Sequence, residues 1–142
     1  MNKQNIFFIL ILTIVLIAGL SIVVCASSND SVSGLNISDN YDSALKDAKA
    51  QNKTVMVIFD QDSCSYCDLF KQDTLSNSKV QEKLNSGFVP VVVDINKDYD
   101  LASKYKVLGT PTVVFLDANE KEIHRIDGYV DANGFLDEIK GI

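Results

Sequence analysis

A short apolar run that leads directly into a pair of closely spaced cysteines limits the fold of this chain more than any other feature. Residues 55–59 are apolar and mostly β-branched, as expected of a strand that is covered on both faces. A polar loop follows, and Cys64 and Cys67 then lie in the first turn of a predicted helix. Side chains at positions i and i+3 of a helix share one face, so the two sulfurs can reach disulfide distance.

The position of these cysteines predicts thiol–disulfide exchange. The N-terminus of a helix presents unpaired N–H groups and the positive end of the helix dipole, and both favour a thiolate over a thiol. We predict that Cys64, at the exposed end of the turn, is the attacking sulfur. Cys67, deeper in the helix, is then the resolving sulfur. This chemistry requires neither a cofactor nor a metal.

The first 26 residues are predicted to be a signal peptide or a membrane anchor. Lys3 is followed by a long uncharged apolar stretch. Small residues suit cleavage after Ala26, and the length of the stretch suits a retained anchor. A third alternative is lipid attachment at Cys25, although the residue before it is a poor match. All three alternatives place the rest of the chain outside the cytoplasm, secreted or membrane-anchored, where disulfides persist.

The remainder of the chain is predicted to be a tether and one acidic domain. Residues 27–37 begin with small polar side chains and are predicted to form a flexible linker, and residues 38–142 are predicted to form the domain. The formal net charge is −6, and every acidic residue follows the leader. An acidic surface does not suit nucleic acid, whose phosphates require a basic footprint.

Apolar periodicity predicts that helices and strands of the domain follow the order α-β-α-α-β-α-β-β-α. Helical crossovers join the early strands and a tight turn joins the last two. This order predicts an α/β fold with a mixed central sheet of about four strands flanked by helices. The predicted strands are 55–59, 88–93, 112–116 and 122–127, and the predicted helices are 38–52, 64–74, 79–85, 98–105 and 131–140.

A second motif, Gly109-Thr110-Pro111-Thr112, directly precedes the third predicted strand. Proline is tolerated at the start of a strand, where its nitrogen need not donate to the ladder. A cis bond, which is accessible mainly before proline, would instead leave the backbone groups of Thr110 free. The residues leave both alternatives open.

Taken together, the two motifs and the order of elements resemble the thioredoxin superfamily. The similarity runs from about Tyr41 to the C-terminus, and Gly128 corresponds to a structural glycine at the end of the last strand. The details resemble the exported thioredoxin-like group, which includes the C-terminal domain of the disulfide reductase DsbD. The stretches that carry this likeness are 43–49, 64–70, 74–80 and 91–94.

The resemblance implies a role for several residues of the two motifs. Cys64 corresponds to the nucleophile and Cys67 to the resolving cysteine. Pro111 corresponds to a cis-proline that faces the disulfide, and the backbone of Thr110 to the group that pairs with a bound peptide. Tyr66, between the cysteines, is assigned to substrate binding.

The chain departs from the family pattern around the cysteines. Ser63 occupies the position of an aromatic residue, and Ile58 occupies that of the buried acid that assists proton transfer in thioredoxin. Asp60 would lie on the same face of the strand as Ile58. We expect Asp60 to be a solvated acid at the end of the strand, with a proton relay as the alternative. The inner dipeptide, Ser65-Tyr66, matches neither the thioredoxins nor the strong oxidants.

Charge near the motif favours one direction of electron flow. Asp60, Asp62 and Asp68 surround Cys64 in the sequence, and negative neighbours oppose a thiolate. A less stable thiolate disfavours the reduced form. We therefore expect a reductase or isomerase of protein disulfides rather than a strong oxidase. Its partners would be protein disulfide or dithiol substrates and a redox partner for regeneration, with a membrane electron carrier as one candidate.

Two other classes of function compete with this interpretation. The first is a non-catalytic thioredoxin-fold module that binds peptides and keeps a static disulfide. The second is metal handling: zinc usually takes four ligands, and the sequence offers no second cysteine pair, since Cys25 lies in the leader and His124 on a predicted hairpin. Copper(I), which two thiolates can bind, is the more favourable metal.

Overall fold

The computed structural model describes residues 32–38 and 40–142 and contains a four-stranded mixed sheet. The strand order is β2-β1-β3-β4, with β1 parallel to β2 and the other pairs antiparallel. The predicted α/β fold and the mixed sheet are therefore confirmed. The strands are β1 (Thr54–Asp60), β2 (Phe88–Asp94), β3 (Thr112–Leu116) and β4 (Glu122–Asp127).

Helices cover both faces of this sheet. Polar side chains cap the helices; at the first of them, the Asn40 side chain accepts a hydrogen bond from the Ser43 N–H at 2.9 Å. The helices are α1 (Tyr41–Gln51), α2 (Ser65–Leu69), α3 (Ser78–Gly87), α4 (Tyr99–Lys104) and α5 (Ala132–Glu138), and a π-helix (Phe70–Leu75) continues α2.

The central strand, β1, supplies side chains to two core layers. Successive side chains of a strand point to opposite faces, so Met56 and Ile58 pack on one side and Val57 and Phe59 on the other. The first layer lies under the π-helix, α3 and α5, and the second under α1 and α4. Asp60, the last residue of β1, is two positions after Ile58, so its side chain lies on the same face of the sheet, towards α2.

The predicted helix over residues 64–74 changes its pitch in the structure. Its second half is the π-helix, whose buried side chains are Phe70, Thr74 and Leu75. Thr74 and Leu75 follow Phe70 by four and five positions, and side chains at these three positions do not share one narrow stripe of an α-helix. The wider turn of a π-helix brings all three side chains to the buried face. The apolar pattern in the sequence did not distinguish the two helix types.

The π-helix also fixes the segment that follows β4. The Thr74 hydroxyl donates to the Val130 carbonyl at 2.5 Å, and the Tyr129 hydroxyl donates to the Asp73 carboxylate at 2.5 Å. These bonds join two parts of the chain that are 56 positions apart. Tyr129 is consequently held beside the helix that carries the cysteines.

The described part of the predicted linker, residues 32–37, packs against the domain. Val32 and Leu35 are buried in the core layer under α3. Gln81 and Asn85, both on α3, donate to the carbonyls of Ser33 and Gly34 at 2.7 and 2.9 Å. The expectation of a flexible linker is wrong for this part, because its apolar side chains complete the core and its backbone has partners on α3.

The remaining sequence-based expectations for the N-terminus fall outside the described residues. These are the leader over residues 1–26, cleavage after Ala26, lipid attachment at Cys25 and the linker over 27–31. Within the part of the chain that the structure describes, no helix combines the length and hydropathy needed to cross a bilayer.

The packing of Leu35 predicts a measurable contribution to stability. Leu35→Ala removes a buried side chain, and we expect the free energy of unfolding to fall by about 2–3 kcal/mol. Leu108→Ala, at a side chain that is 99% exposed, is the matched control and should leave the midpoint of urea unfolding unchanged. Equal midpoints for the two variants would show that the segment does not contribute to the core.

Candidate active site

Cys64 and Cys67 form a disulfide at the start of α2, with a Cα–Cα distance of 5.2 Å. Cys64 is the N-cap residue of this helix, and Cys67 lies inside it. Ser63, the residue before the disulfide, has a φ of 63°, which turns the chain from the loop into the helix. The strand–loop–helix arrangement around the two cysteines is the one that their spacing predicted.

The sulfur of Cys64 accepts two hydrogen bonds. The Cys67 N–H donates to it at 3.2 Å, and the Thr110 hydroxyl donates to it at 3.4 Å. Cys64 keeps 9% of its surface exposed against 2% for Cys67, so it is the more accessible of the two. It is nevertheless more covered than the sequence suggested. Both donors would stabilise negative charge on Cys64 after reduction.

The loop before β3 forms the opposite side of this site. The peptide bond between Thr110 and Pro111 is cis, and the Pro111 carbonyl accepts from the Gly128 N–H at 2.8 Å. Gly128 has a φ of 89°, a conformation that suits glycine. A groove of about 290 Å³ runs past these residues and is also lined by Leu108 and Arg125.

An aromatic pair borders the disulfide on the side of α2. Tyr66 is 65% exposed, and the centroid of its ring lies 6.5 Å from that of Tyr129. The hydrogen bond to Asp73 raises the pKa of Tyr129 to about 12. Sequence reasoning assigned Tyr66 to the site but missed Tyr129, which follows β4 outside any motif and is brought near only by the tertiary fold.

Asp60 is buried below the disulfide, with 5% of its surface exposed. It forms an ion pair with Lys71 of the π-helix and accepts from the Gln61 N–H at 2.6 Å. The expectation of a solvated acid is therefore wrong, because the alternation along β1 turns this side chain under α2 rather than towards solvent. A carboxylate oxygen of Asp60 and the two cysteine sulfurs all lie within 4.8 Å of one another.

Lys71 is a second site residue that sequence reasoning missed. It lies one helical turn after Cys67, so its spacing from the cysteines was a usable signal. Its partner could not be identified from spacing alone, because Asp60 belongs to a different element.

The other acidic residues near Cys64 differ in their surroundings. Asp62 and Asp68 are exposed. Asp94, at the end of β2, pairs with Lys97 at 2.9 Å, and the hydrogen bond from Lys97 holds the pKa of Asp94 below its usual value. A small cavity of about 140 Å³ lies between these carboxylates and is also lined by Lys71.

The sequence is similar to a family of thioredoxin-like domains and to several DsbD proteins. The family model for a thioredoxin-like domain matches residues 41–141. The thiol:disulfide interchange protein DsbD of Vibrio cholerae is 39% identical over 103 residues, which is 68% of this chain and 17% of that protein. The DsbD of Yersinia pestis is 37% identical over 98 residues, which is 66% of this chain and 16% of that protein. The similarity to this chain thus covers less than a fifth of the length of these relatives.

Solved structures show the same fold. A thioredoxin from Thermus thermophilus has 34% sequence identity and a TM-score of 0.65, over 70% of this chain and 81% of that chain. The DsbH oxidoreductase superimposes with a TM-score of 0.66 at 22% identity, over 81% of this chain and 90% of that chain. The family model, which matches most of the chain, shows that the chain belongs to the thioredoxin-like domain family, with its Cys64–Cys67 disulfide at the start of α2.

Proposed function

We propose that this chain is an extracytoplasmic enzyme that reduces or isomerises disulfides in other proteins. The observation that carries this proposal is the Cys64–Cys67 disulfide, in which the Cys64 sulfur accepts hydrogen bonds from two donors. Those donors would favour the Cys64 thiolate in the reduced enzyme, and a thiolate is the species that attacks a disulfide.

The proposed reaction proceeds in two exchanges. The Cys64 thiolate attacks one sulfur of a substrate disulfide, forms a mixed disulfide and releases the other substrate sulfur as a thiolate, which takes up a proton. Cys67, as a thiolate, then attacks the Cys64 sulfur. This second step releases the substrate as a dithiol and leaves the Cys64–Cys67 disulfide. The substrate has gained two electrons, which a donor dithiol must return to the enzyme.

Substrate binding is proposed for the groove beside Pro111. The backbone of Thr110 would pair with the substrate chain, and the exposed ring of Tyr66 would cover it from the other side. The Thr110 hydroxyl already contacts Cys64, so a peptide in this groove would lie next to the reacting sulfur.

Asp60 is proposed to accept the proton of Cys67 in the second exchange. Cys67 is almost fully buried, and the Asp60 carboxylate is the described acidic group that lies within 4.8 Å of its sulfur. The ion pair with Lys71 would hold this carboxylate in place. Proton transfer from a buried thiol requires such a group close by.

The direction of electron flow and the cellular location are also part of the proposal. Asp62 and Asp68 are exposed near Cys64 and oppose its thiolate, whereas the charge of Asp60 is offset by Lys71. A reductase is therefore favoured over a strong oxidase. The apolar N-terminal stretch and the DsbD relatives support an extracytoplasmic location, membrane attachment through the N-terminus and a membrane-bound redox partner.

Substitution of single cysteines distinguishes an enzyme from a peptide-binding module. We expect Cys67→Ser to accumulate a mixed disulfide with a model protein substrate, because the resolving sulfur is missing, and Cys64→Ser to form none. Both variants should lose turnover. The measurement is non-reducing electrophoresis with mass spectrometry of the trapped species. A Cys64→Ser variant that keeps full affinity for the substrate, together with an inert wild type, would favour the binding module.

The reduction potential of the Cys64–Cys67 couple tests the direction of electron flow. Equilibration with glutathione or dithiothreitol should give a value near that of thioredoxin, about −270 mV, if the chain is a reductase. A value close to about −120 mV, like that of a strong oxidase, would contradict the proposed direction while leaving the exchange chemistry intact.

Replacing Asp60 tests the proposed proton relay. We expect Asp60→Asn to slow steady-state disulfide reduction by at least about tenfold at neutral pH, since general acid–base groups typically contribute more than that. The deficit should shrink as the pH rises, because the Cys67 thiol then ionises without a base. Asp62→Asn, which removes an exposed charge nearby, is the control. A deficit that is constant with pH would indicate a merely structural role.

A further inference from the structure

Three potential metal ligands converge where β1 ends and α2 begins. They are the sulfurs of Cys64 and Cys67 and a carboxylate oxygen of Asp60, all within 4.8 Å of one another. All three residues are buried. We propose that the reduced form of this chain binds one Zn²⁺ ion through these three residues, and that the disulfide form does not.

The chemistry of the donor set suits zinc. Zn²⁺ takes thiolate and carboxylate ligands at about 2.0–2.3 Å, and in open sites three protein ligands leave a fourth position for water. The Asp60 oxygen lies within 4.8 Å of both sulfurs, so the three ligand atoms can face one ion once reduction has broken the bond between the sulfurs. Copper(I) is satisfied by two soft thiolates, so a carboxylate as third ligand favours zinc over copper.

Charge at the site is also compatible with a divalent cation. Two thiolates and one carboxylate carry three negative charges, and Zn²⁺ leaves one of them uncompensated. The ammonium group of Lys71, which is paired with Asp60, supplies the remaining positive charge. The loaded site would thus be neutral, which matters in a buried position where an uncompensated charge is costly.

Hydrogen bonds already hold two of the three ligands. The Cys67 N–H and the Thr110 hydroxyl donate to the Cys64 sulfur, and the Gln61 N–H donates to an Asp60 oxygen. Such outer contacts orient metal ligands and strengthen binding. The sequence alone offered no third ligand, because it lacks a second cysteine pair and Asp60 was expected to be a solvated acid.

The redox state controls this site through the sulfurs themselves. In the disulfide each sulfur is bonded to the other and is not a thiolate ligand. When the reduced chain binds Zn²⁺, both sulfurs bind as thiolates and two Zn–S bonds form, so each sulfur that still carries a proton releases it and binding is favoured by higher pH. No electron is transferred in this step.

Zinc would also regulate the exchange reaction, a consequence that rests on the proposed function. A Cys64 thiolate that is bound to Zn²⁺ cannot attack a substrate disulfide until the metal leaves. We expect submicromolar to micromolar free zinc to inhibit the reduced enzyme reversibly, with activity restored by a chelator.

The test is a zinc titration of the full chain in defined redox states. The chain is reduced with a phosphine, desalted under argon and titrated with ZnCl₂ in competition with the chromogenic chelator 4-(2-pyridylazo)resorcinol. Wild type should bind one ion when reduced and should not compete when oxidised. Asp60→Asn should weaken binding by at least about tenfold, whereas the matched control Asp62→Asn should change it by less than about threefold.

Cobalt substitution provides a second measurement that reports on the ligands directly. Reduced wild type with CoCl₂ should show thiolate-to-cobalt charge transfer and the visible absorption of a tetrahedral site, and Asp60→Asn should alter the visible bands. Circular dichroism verifies that each variant is folded. If Asp60→Asn does not fold, Asp60→Glu, which keeps a carboxylate, replaces it in the experiment. The Asp60→Glu variant should retain the tetrahedral cobalt spectrum.

Three results would overturn the proposal. They are equal affinities of the Asp60→Asn and Asp62→Asn variants, binding by the oxidised chain as tight as by the reduced chain, and a cobalt spectrum without thiolate bands. Disulfide reduction measured in metal-free buffer separates this inference from the proposed function: activity without zinc binding refutes the metal site alone, and zinc binding without activity refutes the enzyme alone.

Discussion

The position of β1 at the centre of the sheet is the constraint on which the rest of the molecule depends. It is hydrogen-bonded to β2 on one side and β3 on the other, so its backbone is fully paired and its side chains enter both core layers. Because its direction and register are fixed by two neighbours, the loop and helix that follow it are fixed as well. The cysteines at that end of the strand consequently meet the Thr110–Pro111 loop that leads into β3.

The same strand explains the unusual acid below the disulfide. Asp60 lies on the face of Ile58, which is the face covered by α2 and the π-helix, so a carboxylate that ends a strand becomes buried. A buried carboxylate is unfavourable without a partner, and Lys71 provides one. One group placed in this way would serve the proposed proton transfer when the sulfurs are exchanging and would provide the proposed metal ligand when both are reduced.

The chain keeps the fold and the two motifs of the family pattern and departs from the pattern at residues near the cysteines. The fold is shared with the thioredoxin-like structure of Thermus thermophilus, and the Cys-x-x-Cys motif and the Gly-Thr-Pro sequence are the features on which the resemblance to the superfamily rests. Ile58 and Ser63 stand where the resemblance implies an acid and an aromatic residue, and this chain has an ion pair of Asp60 with Lys71. The resemblance identified from the motifs is confirmed by the family model, which covers residues 41–141.

The sequence by itself determined the order of elements, the position of the cysteine pair and the proline loop. These features depend on short-range spacing: apolar periodicity of two or about four positions and motifs a few residues long. Only the tertiary structure decided that Asp60 is buried against Lys71, that the ring of Tyr129 lies beside that of Tyr66, and that Leu35 belongs to the core. Each of these depends on which elements pack together, and a residue's own neighbours in the chain carry little information about a partner that another helix or strand supplies.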